Sequence, residues 1–305
     1  VIRPAALRPG ARIALVAPAG PVRDTAIDRA AGRLRDWGWE PVLGPHARGS
    51  HLGYLSAPDA KRAGDLNAAL RDPSIDAVWC LRGGYGVMRI LPDVDWDALV
   101  ARPRPVIGYS DNTALHCMFA RRGVVSFHGP HPATEEFNDF SRDALLRVLT
   151  SAEPAGLLPF PAGSEGRAET VAPGVAEGPL VGGNLSLIAG TLGTPYAVDT
   201  RGALLFLEEV GEAAYKLDRL LTQLRLGGVL DGVAGVVVGQ ITEVPDSRPG
   251  AAAEVLRDRL GDLGVPVATG FPFGHVDDNW TLPLGVRARL DADAGTLEVV
   301  EGAVG

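Results

Sequence analysis

The sequence predicts an α/β protein, with an N-terminal doubly wound parallel sheet and a second α/β domain whose sheet is mixed. Three observations predict it. Short apolar runs alternate with amphipathic stretches through the first half, the pattern of a parallel sheet covered by helices. From Ser151 to Gly178 the chain turns rich in Pro, Gly, Ala and Glu and loses periodicity, the composition of a linker. Beyond it strands and helices resume, among them an alternating, half-exposed strand. The expected division is residues 1–150, a linker over 151–178, and a second domain over 179–305.

Element by element, Arg12 to Ala17 reads as the first strand. After the turn from Pro18 to Pro21, Asp24 can cap a helix on which Ile27, Ala31, Leu34 and Trp37 recur at helical spacing, and Gly38 stops it. Glu40 to Leu43 is a second strand. Ser56 opens a helix with Ala60, Ala63, Leu66 and Leu70 on one face, and the wholly apolar run Ile75 to Leu81 is a buried strand. The strand Pro105 to Tyr109 runs straight into a helix, Asn112 to Arg121. This order fits a flavodoxin-like sheet, which places its site at the carboxyl ends of the strands. In the second half, strands are expected at Ala203 to Leu207, Val233 to Val238 and Pro266 to Thr269, helices at Glu212 to Leu226 and Ala251 to Leu263, and the half-exposed strand at Val286 to Leu290.

Composition removes several function classes. The formal net charge is −8 and no Lys/Arg cluster occurs, so a nucleic-acid partner lacks its basic footprint. No apolar run reaches the ~18 to 20 residues that cross a bilayer, and the first twelve residues lack the pattern of a secretory leader. Cys80 and Cys117 sit in apolar segments rather than in a spaced framework, as buried thiols of a reducing compartment do. A cytoplasmic protein is expected.

Three strand ends could carry chemistry. Arg82-Gly83-Gly84-Tyr85-Gly86 is a glycine turn that lets backbone amides approach a ligand. It is no dinucleotide fingerprint, because Arg89 stands where the third glycine is needed, and no Gly-Lys-Ser/Thr phosphate loop exists. At Gly108-Tyr109-Ser110-Asp111-Asn112 a buried strand turns into a helix at a serine, the mechanics of a nucleophile elbow with Asn112 in place of the last glycine. From spacing alone, Ser110 reads more readily as an ordinary helix cap. Leu204 to Leu207 ends in Glu208 and Glu209, which point to opposite faces of the strand, so one can enter a site. A base among the six histidines is best supplied by His275, in a Gly/Pro-rich loop after a short strand. His46 and His51 flank a loop, His116 packs in the elbow helix, and His128 and His131 lack an evident third ligand, so no metal is expected.

Taken in order, Arg82 to Gly86, Gly108 to Asp111, Gly182-Gly183-Asn184-Leu185, Leu207 to Val210 with Tyr215 and Asp218-Arg219, and Gly274-His275 with Leu282 to Gly285 resemble the LD-carboxypeptidase family of serine peptidases. The likeness runs from about Leu7 to Leu290. It implies a triad of Ser110, Glu208 and His275, and so favours Glu208 over Glu209. It implies cleavage of the amide between the L-centre of a diamino acid and a terminal D-alanine, as in muramoyl-tetrapeptide carboxypeptidases of murein recycling, without a cofactor. A related branch, the microcin C immunity peptidases, cuts a nucleotide-peptide and carries aromatics near the inter-domain segment; between Pro161 and Gly183 this chain has none. The partner expected is thus a muropeptide or related peptide, and family habit makes a homodimer an expectation. The backbone N–H groups of Gly84 and Asp111 are expected to form an oxyanion hole, and Arg82 to bind the substrate's free carboxylate. The competing reading is a binding module without chemistry, which would need no triad.

Overall fold

The computed structural model describes residues 1–245 and 248–305. In chain order the first half forms β1 (Arg12–Val16), α1 (Asp24–Asp36), β2 (Glu40–Leu43), α2 (Asp59–Arg71), β3 (Ala77–Cys80), α3 (Val87–Ile90), α4 (Trp96–Ala101), β4 (Val106–Gly108), α5 (Thr113–Arg121), β5 (Ser126–His128) and α6 (Asp139–Leu149). The second half forms β6 (Gly156–Leu157), β7 (Glu169–Ala172), β8 (Val175–Asn184), α7 (Leu185–Gly190), β9 (Leu204–Val210), α8 (Ala214–Leu226), β10 (Gly235–Thr242), α9 (Ala251–Leu260), β11 (Val267–Thr269), β12 (Leu282–Leu284), β13 (Arg287–Asp291) and β14 (Thr296–Val299).

The first sheet runs β12-β5-β4-β3-β1-β2. Its five N-terminal strands are parallel, and the strand order reverses between β1 and β3, the doubly wound arrangement read from the sequence. The second sheet runs β6-β14-β13-β8-β9-β10-β11-β7; β8 to β11 are parallel neighbours and the flanking strands antiparallel, so it is mixed.

Strand alternation divides the apolar residues cleanly. Ile13, Leu15, Trp79, Ile107 and Phe127 of the first sheet join Leu204, Phe206, Val237, Ala268 and Leu290 of the second in one shared cluster. Their neighbours Ala14, Val16, Val78 and Val106 face α2 to α5, and Leu205, Leu207, Val236 and Val238 face α7 to α9. The two sheets are thus packed through a common core.

Several local expectations shift. Asp24 does not cap α1: Arg23 holds the cap position, and the Asp24 carboxylate pairs with Arg48 at 3.1 Å. Ser56 lies ahead of α2 and donates its hydroxyl to the Ala17 carbonyl at 2.6 Å, tying the chain to the end of β1. Within 151–178, read as a linker, residues of β6 and β7 and the first part of β8 pair into the second sheet. Conversely β12, far along the second half, adds antiparallel to β5 of the first sheet. The halves therefore exchange chain beyond a single crossing.

Candidate active site

β4 ends at Gly108 and the chain turns through Tyr109 into Ser110, which stands at φ +60°. A residue with a β-carbon disfavours that left-handed conformation by about 1–2 kcal/mol, so the surroundings must hold it. Asn112 does so: its Nδ2 donates to the Tyr109 carbonyl at 3.0 Å and to the Arg82 carbonyl at 3.4 Å. A β-carbon on Gly108 would come within 3.1 Å of the Asn112 side chain. This explains the asparagine where an ordinary elbow has glycine, since its amide closes the turn. Ser110 is not a helix cap, because Tyr109 and Asn112 occupy the cap positions and neither helical start is closed by a side chain.

The glycine turn after β3 lies against this elbow. A β-carbon on Gly83 would fall 2.8 Å from Ser110 Oγ and 3.2 Å from the Asp111 nitrogen, while Gly84 and Gly86 take φ +104° and +132°. Two buried side chains fix the turn. Asp111 accepts the Val87 N–H at 2.8 Å, and burial, only partly offset by that bond and by Arg62, pushes its carboxyl up to about 6. Arg62 donates to the carbonyls of Ala57 at 3.0 Å and Gly86 at 2.8 Å, and also to that of Pro18.

On the second sheet, β9 splits its two terminal carboxylates. Glu208, fully buried, accepts from His275 Nδ1 at 2.7 Å. Glu209 turns the other way, where it accepts from Asn184 Nδ2 at 2.9 Å, the Ser186 N–H at 2.8 Å and its neighbour Val210 N–H at 2.9 Å. The two carboxylates that strand alternation separates thus take different partners: one glutamate holds a histidine, the other holds α7. Burial opposes a charge on His275, but the Glu208 bond and the charges of Glu208, Glu209 and Glu243 outweigh it and raise its pKa.

The His275 ring lies 4.9 Å from the ring of Tyr109, beside the serine. No hydrogen bond joins Ser110 Oγ to His275 among the described residues, a separation common before substrate tightens a site. The loop carrying His275 is anchored to α6 of the first half: Ser141 Oγ donates to the Asp277 carbonyl at 2.7 Å and accepts the Asn279 N–H at 2.9 Å. The elbow helix reaches the second sheet as well, because Thr113 Oγ1 accepts the Asn184 N–H at 3.0 Å. Gly183 permits that approach, since a β-carbon there would lie 2.4 Å from Thr113 Oγ1, while Gly182 leaves room for the neighbouring strand, where a β-carbon would lie 2.0 Å from the Phe206 carbonyl oxygen. The signal for these partners was the Gly-Gly-Asn run, though the sequence could not say what it touched.

The remaining histidines do other work. His116 bonds Ser126 Oγ at 2.9 Å and the Gly108 carbonyl at 2.8 Å, and burial lowers its pKa to about 4. His128 is fully buried against Phe206, and burial together with the neighbouring histidines holds it well below its usual pKa. His131 donates from Nδ1 to the Cys80 carbonyl at 3.0 Å. Among the described residues no three His, Cys, Asp or Glu side chains gather as a metal would require. His46 pairs with Asp65 at 2.7 Å on α2, and His51 bridges to Leu55. Burial pushes the free thiols of Cys80 and Cys117 up to about 12, where they are inert. Arg82 is exposed and braces the turn by donating to the Pro21 carbonyl at 2.9 Å, while its side chain also lines a cavity beside Tyr109.

Comparison with known proteins gives the family. The LD-carboxypeptidase N-terminal domain matches residues 13–129 and the LD-carboxypeptidase C-terminal domain residues 177–290. A putative carboxypeptidase of Streptomyces coelicolor is 46% identical over 97% of this chain and 96% of its own. The crystal structure of muramoyltetrapeptide carboxypeptidase from Oxalobacter formigenes superposes with a TM-score of 0.83 at 32% identity, covering 96% of this chain and 99% of that one. A structure of MccF in complex with glutamyl sulfamoyl guanosine superposes with a TM-score of 0.90 at 25% identity, over the whole of both chains, and the microcin C7 self-immunity protein MccF of Escherichia coli is 27% identical over 81% of this chain and 80% of its own. The chain belongs to the LD-carboxypeptidase family and is a serine-type carboxypeptidase.

Proposed function

We propose that this enzyme releases terminal D-alanine from a cell-wall tetrapeptide by hydrolysing the amide between an L-centre and the D-residue, through an acyl-enzyme on Ser110. The observation that carries the reading is the 2.7 Å bond from His275 to the fully buried Glu208, next to a serine held at positive φ. Ser110 Oγ attacks the scissile carbonyl as His275 Nε2 takes its proton, forming a tetrahedral oxyanion. The N–H groups of Gly84 and Asp111 are the donors proposed to hold it, supported by the closeness of the glycine turn to Ser110. The C–N bond breaks as His275 returns the proton to the departing amine, leaving the tripeptide esterified to Ser110. Water, deprotonated by His275, then cleaves the ester. Glu208 keeps the imidazole in the Nδ1–H tautomer and stabilises its cation.

A cell-wall peptide is favoured over a nucleotide-peptide because residues 161–183 carry no aromatic side chain to stack a base. The cytoplasmic setting is part of this proposal and rests on two buried, unpaired cysteines; no helix among the described residues is long and apolar enough to cross a membrane. The test is hydrolysis of stem tetrapeptides ending in D- or L-alanine. Release of D-alanine alone, lost in Ser110→Ala, supports the reading, and equal release of both isomers refutes it.

A further inference from the structure

The sheet's strand order reverses between β1 and β3, and at that point the start of α1 and residues 131–135 enclose a cavity of about 450 Å³. Such a switch point is where doubly wound sheets take their ligands. Its wall includes Arg23, Arg29, Arg82, Tyr109 and His131. Tyr109 directly precedes the nucleophile, so a group in this cavity lies one residue from Ser110.

The cavity is cationic in an acidic protein of net charge −8. The carboxylates of the α1 first turns are committed elsewhere, Asp24 and Asp28 both pairing with Arg48. Among the described residues, none of Arg23, Arg29 and Arg82 has a carboxylate within 4.0 Å. The Nε of Arg29 is buried without any acceptor. Glu135, exposed at the rim, is the acid of the lining, and it forms no ion pair with them. The crowding of charge is felt by Arg33, lowered by burial and then by Arg29. His131 is buried and neutral, and with Nδ1–H given to Cys80 its Nε2 has no donor. Guanidinium groups without a carboxylate partner call for an anion.

We propose that this cavity is the subsite for the departing amino acid, its terminal carboxylate held by Arg23 and Arg29 together with Arg82. The inference rests on the carboxypeptidase reaction proposed above and names the residues that make it act at a chain end. It is tested by comparing kcat/KM for the free-acid tetrapeptide and its C-terminal amide in the wild type, Arg23→Gln and Arg29→Gln. The Arg23 side chain makes no hydrogen bond or ion pair among the described residues, and its backbone carbonyl, which accepts from the N–H groups of Ala26 and Ile27, is kept in Arg23→Gln, so this replacement leaves the fold intact even if loss of the Arg29 bond to Ala133 does not.

The expected result is a fall of about tenfold or more in the free-acid to amide ratio in each variant, through KM, with a matching weakening of inhibition by D-alanine. Wild-type ratios and wild-type D-alanine inhibition in both variants would overturn the subsite while leaving the reaction standing. Inhibition by inorganic phosphate stronger than by D-alanine, and lost in Arg29→Gln, would assign the cavity to a phosphate instead. A wild-type enzyme that cuts amide and free acid equally well would overturn the carboxypeptidase reading itself.

Discussion

Replacing Glu208 by Gln keeps the shape of a fully buried side chain and removes its charge. In the native site the Glu208 oxygen lies 2.7 Å from His275 Nδ1. Once His275 takes the serine proton, two unit charges at that distance attract by about 6 kcal/mol at an effective dielectric constant of about 20. Each factor of ten in rate corresponds to about 1.36 kcal/mol, so loss of the charge should lower kcat by about 10⁴-fold. The amide can also present its NH₂ to Nδ1 and select the wrong tautomer, which acts in the same direction. The assay is D-alanine release from a stem tetrapeptide, with Glu209→Gln as the paired control. That residue holds Asn184 and Ser186 rather than the histidine, so the control should keep most of its turnover and lose stability instead. Glu208→Gln retaining more than about a tenth of wild-type kcat, or Glu209→Gln falling further than Glu208→Gln, would refute the reasoning.

Ser110→Ala and Ser110→Gly should both lose turnover by about 10⁴-fold or more, since triad members act as a unit. The glycine variant should be the more stable by about 0.5 to 1 kcal/mol in chemical denaturation, because φ +60° is strained only with a β-carbon. The acid limb of kcat/KM should lie above the ordinary histidine pKa of about 6.5 and move down in Glu208→Gln, as a base raised by Glu208 is protonated at higher pH than one without it. The Asp111 carboxyl, near 6 when folded, stabilises the protein below its unfolded value and loses that contribution as pH rises through about 6; in Asp111→Asn, melting followed from pH 4 to 7 should lose this decline. Gly182→Ala should unfold the protein or cost about 3 kcal/mol or more, because its β-carbon would meet the Phe206 carbonyl oxygen at 2.0 Å, which backbone cannot yield cheaply.

Much of this architecture was legible in the residues. Alternating apolar runs with helical periods between them are local signals, and they placed β1, β3, β4 and the start of β9 within a residue or two and directed attention to the strands' carboxyl ends, though β9 runs three residues past the expected Leu207, to Val210. What was not legible depends on contacts between distant segments. The strands at 156–157 and 169–172 are too short and too rich in turn residues to show a period, so their stretch read as a linker. Ser110 could not be told from a cap until the cap positions fell to Tyr109 and Asn112. Asn112 departed from the usual elbow pattern, and only its bonds to the carbonyls of Tyr109 and Arg82 explain why. The bracing of Arg82 on Pro21, and the pairing of Arg48 with Asp24 and Asp28, join residues far apart in sequence that share no pattern.

The antiparallel seat of β12 beside β5 bears on how the enzyme comes to be active during folding. The first sheet can form its five parallel strands from the N-terminal half, serine included, before the rest of the chain has arrived. Its outer edge at β5 then stays open until Leu282–Leu284 docks there, opposite Ser126–His128. Pairing across so long a stretch of chain is a late event, since the loop entropy must be met before the contact is rewarded. The strand that closes the edge follows shortly after His275, and the intervening loop is pinned by Ser141. In the proposed triad, Ser110 and His275 therefore meet only when the last strand is in place. On the proposed mechanism, a chain truncated before residue 282 should therefore be inactive although it keeps Ser110 and His275.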